Sequence, residues 1–160
     1  MTSRVFEKIP FKSFLWLAFL LCLIGDLLHA WYAHSIWLSP TSFDASFVRA
    51  LSLQGIDPND VPVNELQEVQ SLLYQTIWTI LISFMVINIV SYFLLTKQNA
   101  WGIKYTKFIC FTSIFLCFLS FLKELFTPDI WLASTTLQLA IYIFVYLGFR
   151  FYPDFKKPAQ

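Results

Sequence analysis

The chain has 160 residues, of which 58% are hydrophobic, 19% aromatic and only 13% charged, with a net charge of +1. A water-soluble domain carries about a quarter of its residues charged, so this chain has too few charges to cover a water-facing surface. No basic stripe recurs at helical spacing, which gives no footprint for nucleic acid, and with only four glycines there is no Gly-rich phosphate loop. The partner that the composition demands is a lipid bilayer.

Four segments are long enough to cross one. A span needs about 20 mostly apolar residues, and runs of that kind cover about 14–37, 72–96, 108–126 and 130–149. Backbone groups in hydrocarbon must be satisfied within the segment, and the runs lack a two-residue alternation, so helices rather than barrel strands are expected. The fold class is therefore all-α: a polytopic, single-domain bundle of four transmembrane helices.

The first segment follows Arg4, Lys8 and Lys12 and has the apolar core FLWLAFLLCLIG. It resembles a signal peptide in charge, but Leu28-His29-Ala30 lacks the small residues of a cleavage site and Asp26 interrupts the core. It reads as a retained span. Within it, GDLLHAWYAH places Asp26 and His29 three residues apart on one helix face. Counting from Phe14 at ~1.5 Å per residue puts them about 18 and 22 Å along the axis. An ionised Asp at a helix centre costs about 2.5–3.5 kcal/mol, and such residues usually face the bundle interior. His34 is expected at the interface.

The connection 38–71 is the one sizeable loop. SPTSFDASFVRALSLQG has Phe43, Phe47, Val48 and Leu51 at i, i+4, i+5 and i+8, with Thr41 or Ser42 as cap, Asp44 in the first turn and Gly55 as stop. This predicts a short amphipathic helix lying on the outer leaflet, its phenylalanines among the headgroups. DPNDVP reads as turns, and Asn64 with Gln67 makes a capping box that starts the second span near Asn64. Phe43, Phe47, Leu51, Asp57 and Asp60 form the candidate partner surface.

In the second span Gln75, Thr79 and Ser83 recur every four residues, with Asn88 and Ser91 lower down; the fourth has Thr135, Gln138, Tyr142 and Tyr146. Such side chains join helices by hydrogen bonds. In the third, Lys123 lies at about the depth of His29, so Asp26, His29 and Lys123 form a candidate intramembrane cluster, with Glu124 beside it. Cys22, Cys110 and Cys117 occupy apolar runs with no C-x-x-C, and read as small buried residues. No ligand spacing defines a metal or haem site, so no cofactor is expected.

Nine of the 11 Lys and Arg lie before the first span, between the second and third, or after the fourth; only Arg49 and Lys123 lie elsewhere. This bias places both termini in the cytoplasm. Trp16, Tyr92, Trp101, Tyr105 and Tyr152 are expected in one aromatic belt, and Trp31, Trp37, Tyr74, Trp78 and Trp131 in the other. No residue set names a reaction. The sequence predicts a non-enzymatic accessory, scaffold or partner-binding protein that presents 38–71 to a membrane-protein partner or a second copy. The alternative is a small transporter or proton-coupled permease using Asp26, His29 and Lys123. The bacterial inner membrane is the expected location.

Overall fold

Every apolar run of the sequence becomes a helix, the one regular structure that satisfies its own backbone over such a length. The computed structural model describes residues 6–126 and 131–152. Five α-helices follow in order: α1, Phe11–Ala33; α2, Pro40–Leu53; α3, Val63–Thr96; α4, Ala100–Phe126; and α5, Leu132–Phe151. A single π turn, His34–Leu38, prolongs α1, and a 3-10 turn, Pro58–Asp60, precedes α3. There is no strand among the described residues.

Four of these helices, α1, α3, α4 and α5, are long and apolar enough to cross a membrane. Their outward positions are hydrocarbon: Ile80, Ile82 and Phe84 on α3, and Phe108, Phe111, Phe115 and Phe118 on α4, are all exposed. In water such a surface would aggregate; in lipid it is the expected face.

Boundaries depart from the apolar runs where polar residues continue a helix. The third span begins at Ala100 instead of 108 because Asn99 caps it, its Oδ1 accepting from the Trp101 N–H at 2.9 Å. The turn before it is closed by Gln98, in the left-handed region (φ 57°), with Gln98 N–H donating to Leu95 O and Asn99 N–H to Leu94 O. This 5→2 and 6→1 pair is a Schellman ending. Helix α3 starts at Val63, and Leu66 N–H donates to Pro62 O, so Asn64 lies inside the first turn and not before it. At 34 residues α3 is about 51 Å long, well beyond a hydrocarbon core of about 30 Å. The expected start of the fourth span at 130 lies outside the described residues, as do Arg4, Asp129, Lys156 and Lys157; so do the side chains of Trp37 and Glu124.

The chain divides into two compact units, Met1–His29 with Val86–Gln160, and Ala30–Met85. The first contains parts of all four spanning helices. Its core holds Phe14, Ala18, Cys22, Tyr92, Leu95, Cys110 and Val145. Close approach of α1 and α5 depends on glycine: a Cβ at Gly148 would stand 2.0 Å from the Phe14 ring, and one at Gly25 would stand 2.8 Å from the Tyr142 phenol. Because Phe14 meets Gly148 and Gly25 meets Tyr142, the two helices run antiparallel. At the same end Tyr152, expected in an aromatic belt, is buried instead; its hydroxyl donates to the carbonyls of Ile9 (2.6 Å) and Phe6 (3.1 Å).

In the second unit α2 forms as its pattern predicts, and it ends before Gly55, whose φ of 75° suits glycine. The helix begins earlier than expected, so Asp44 lies past its first turn, where it accepts from the Gln70 amide of α3. Its apolar face is also turned differently. Phe43 and Phe47 are buried, Phe43 edge-on to Tyr74 of α3 at 5.4 Å. They pack within the protein and not among headgroups. Tyr74 of α3 lies against Phe43, and the sequence pattern alone cannot tell such a protein surface from lipid. The His34 ring lies tilted beside Trp78, ring centres 5.7 Å apart.

Candidate functional site

Three polar side chains of the spanning helices converge on Asp26. It lies on α1, half-buried, next to Gly25. Three side chains donate to its carboxylate: Asn88 Nδ2 to Oδ2 at 2.8 Å, Tyr92 OH to Oδ2 at 2.8 Å, and Tyr142 OH to Oδ1 at 2.6 Å. The Asn88 carboxamide is fixed in turn, because its Oδ1 accepts from Tyr105 OH at 3.0 Å. Asp26 comes from α1, Asn88 and Tyr92 from α3, Tyr105 from α4 and Tyr142 from α5. One network therefore touches all four spanning helices within the first unit.

Helix geometry explains how residues at different levels meet. Asn88 and Tyr92 are four apart, so they share a face of α3. Side chains lean toward their helix N-terminus, and the longer phenol of Tyr92 reaches back the one turn that separates it from Asn88. Tyr142 does the same on α5, which runs against α1, so its hydroxyl leans toward the level of Asp26. It passes over the bare Cα of Gly25, and a methyl group there would occupy the space of the ring.

The donors are one amide and two phenols, all uncharged. The four hydrogen bonds combine one carboxyl group, a carboxamide used at both ends and three phenols, each matched donor to acceptor. Asn88, Tyr92 and Tyr142 are buried, where an unpaired polar group would be costly.

The other members of the expected cluster, His29 and Lys123, are exposed. The helix periodicity puts His29 on the same face as Asp26 only approximately: three residues turn the helix by 300°, enough to carry a side chain from a packed edge to an open one. Tyr92 and Tyr105, expected in an aromatic belt, belong to the network. A signal for Tyr92 exists in the sequence, its four-residue spacing from Asn88; for Tyr105 there is none. Asn88 and Tyr142 were legible as helix-joining polar residues, though not as partners of Asp26.

Other polar positions follow two patterns. Thr135 and Gln138 are buried on α5, with Gln138 Nε2 donating to Ser134 Oγ at 3.2 Å. Gln75, Thr79 and Ser83 are exposed on α3, and Thr79 bonds the carbonyl of Gln75 in its own helix at 2.8 Å. Of the candidate partner surface, Asp57 and Asp60 are exposed and Leu51 is half-buried, whereas Phe43 and Phe47 face inward. Asp57 is also a turn residue, accepting from the Asn59 N–H at 2.9 Å. Among the described residues, no three His, Cys, Asp or Glu side chains gather as they would around a metal ion. The sequence matches no protein-family model, no curated protein and no solved structure.

Proposed function

We propose that the chain is a small integral membrane protein of non-enzymatic role, an accessory or scaffold protein that binds a membrane-protein partner or a second copy through residues 38–71. One observation carries this reading. The carboxylate of Asp26 is taken up by hydrogen bonds from other helices of its own chain, so the chemistry inside the bundle is used in holding helices together. Side chains open to a partner are found instead in the connection and the start of α3: Asp57, Asp60, Glu65 and Glu68, together with Leu53, which is 81% exposed, and Val63, 71% exposed. Acidic rims around exposed apolar side chains suit a protein partner with a basic, partly apolar face.

The bacterial inner membrane with both termini in the cytoplasm is the location we propose, on the strength of the Lys and Arg distribution. Residues 38–71 are then outside the cell membrane. A second reading, a small transporter or proton-coupled permease using Asp26, His29 and Lys123, draws on Asp26 being only half-buried.

The two readings differ in how reconstituted protein responds to ligand. Whatever binds the folded state raises its unfolding midpoint. With Asp26 as a packing residue, added monovalent cations or organic amines leave the midpoint of wild-type protein unchanged, and Asp26→Leu lowers it equally with and without them. A cation-dependent rise that Asp26→Leu abolishes would instead favour the transporter. The loop is tested by a photo-crosslinking residue at Leu53 in native membranes. A protein adduct that disappears when Asp57 and Asp60 are changed to Lys supports partner binding; adducts with lipid alone contradict it.

A further inference from the structure

Cys22 and Cys110 are separated by 88 residues and belong to α1 and α4, yet their sulfur atoms lie 3.9 Å apart. Both residues have no exposed surface and both are free thiols. A disulfide has an S–S length of about 2.05 Å, so bond formation asks the two side chains to close a gap of about 2 Å between them. Cys117 is placed differently: it is seven residues from Cys110, about 10 Å along α4, and its sulfur donates to Gln138 Oε1 at 3.7 Å. Two of the three thiols are therefore paired by the fold and the third is set apart.

We infer that Cys22 and Cys110 are a redox modification site, which a hydroperoxide converts to a disulfide that fastens α1 to α4. The class of oxidant follows from the surroundings. Both sulfurs are enclosed by the core of the first unit, with Tyr92, Leu95 and Val145 in the same cluster, so the oxidant must be uncharged and close to water in size, as hydrogen peroxide is. In the first step one thiol sulfur attacks the peroxide O–O bond, giving a sulfenic acid and one water. In the second, the other thiol attacks that sulfur, forming the S–S bond and releasing a second water. The thiols lose two electrons and two protons, and the peroxide is reduced to two waters. A dithiol reverses the reaction by exchange.

The bond would join the helix carrying Asp26 to the helix carrying Tyr105. Cys22 is one turn from Asp26 on the same face of α1, so oxidation clamps the network at its α1–α4 edge. Because both sulfurs are fully enclosed, the expected reaction is slow and selective for an oxidant able to enter.

The test uses full-length protein, reduced and then placed in lipid nanodiscs. After hydrogen peroxide treatment the protein is denatured, alkylated and weighed. Alkylatable thiols should fall from three to one, with a Cys22–Cys110 linked peptide on mapping, and dithiothreitol should restore all three. In Cys117→Ser they should fall from two to none, and in Cys22→Ser they should stay at two. Denatured protein, treated the same way, should lose the pairing preference. The inference is overturned if all three thiols survive, if the link involves Cys117 or a second molecule, or if the sulfurs go to sulfinic acid without a disulfide.

Discussion

The two units of the molecule use polar residues in opposite ways. In the first, the hydrogen bonds that matter cross between helices: Asp26 is bonded to residues 62, 66 and 116 positions away. In the second, most polar side chains bond within their own turn. Thr76 donates to Leu72 O, Thr79 to Gln75 O, and Asp57 accepts from Asn59; the contact of Gln70 with Asp44 is a long-range exception. The second unit is joined by aromatic packing instead, with Phe43 and Phe47 inside and Tyr74 between Phe43 and Trp78. Inside lipid there is little apolar driving force between helices, so close packing and polar bonds must select the arrangement. Where water reaches, burying a phenylalanine is favourable in itself.

This contrast predicts different responses to mutation, and the largest effect comes from the tightest packing. Gly148→Leu puts a branched side chain where even a Cβ would lie 2.0 Å from Phe14, itself fully buried. The expected loss is about 3 kcal/mol or more, at the top of the overpacking range, seen as a fall in the unfolding midpoint of the bilayer-embedded protein. An undiminished midpoint would mean that α1 and α5 are not in contact there.

Next comes Asp26→Leu. It leaves Asn88 Nδ2, Tyr92 OH and Tyr142 OH without their acceptor. At about 0.6–2 kcal/mol for each interhelical bond, the total expected is about 2–6 kcal/mol. Gly25→Ala should mimic part of this by displacing the Tyr142 phenol.

In the second unit, Phe43→Ala and Phe47→Ala should act locally. Hydrogen exchange is expected to rise in α2 and in the facing turns of α3, while α5 stays protected. Loss of protection in both units alike would remove the distinction between them. The smallest effect is expected at Gly55, which has open space around it but a φ of 75°. Gly55→Ala should cost about 1 kcal/mol from the left-handed backbone, and Gly55→Asn less, because asparagine tolerates that region. Gly148 is constrained by space and Gly55 by conformation, so Asn should relieve only the second.

The class of fold was legible because lipid imposes it: four runs of about 20 apolar residues must become helices, and they do. The amphipathic α2 was legible for the same reason of pattern. What covers an apolar face is not written in its periodicity, and Phe43 and Phe47, expected in the leaflet, pack inside the protein. The network around Asp26 was half legible. Asp26 stands out as an acid in hydrocarbon, and Asn88 and Tyr142 stand out as polar residues on helix faces. Their pairing depends on helix rotation and on the reach of tyrosine past Gly25, neither of which follows from depth counting. Depth alone put Lys123 beside His29, and the structure places both on exposed positions. The thiol pair was hidden for a related reason, since the spacing within α4 speaks only of Cys110 and Cys117.

The most direct test is a double-mutant cycle on Asp26 and Tyr142, the pair that joins the first spanning helix to the last. Unfolding free energies would be measured in bicelles for wild type, Asp26→Leu, Tyr142→Phe and the double variant. If the network fixes helix packing, the single changes are not additive, and the coupling is about 1 kcal/mol in favour of the pair. Strict additivity, with Tyr142→Phe silent on its own, would contradict the account and return Asp26 to the list of residues in search of a ligand.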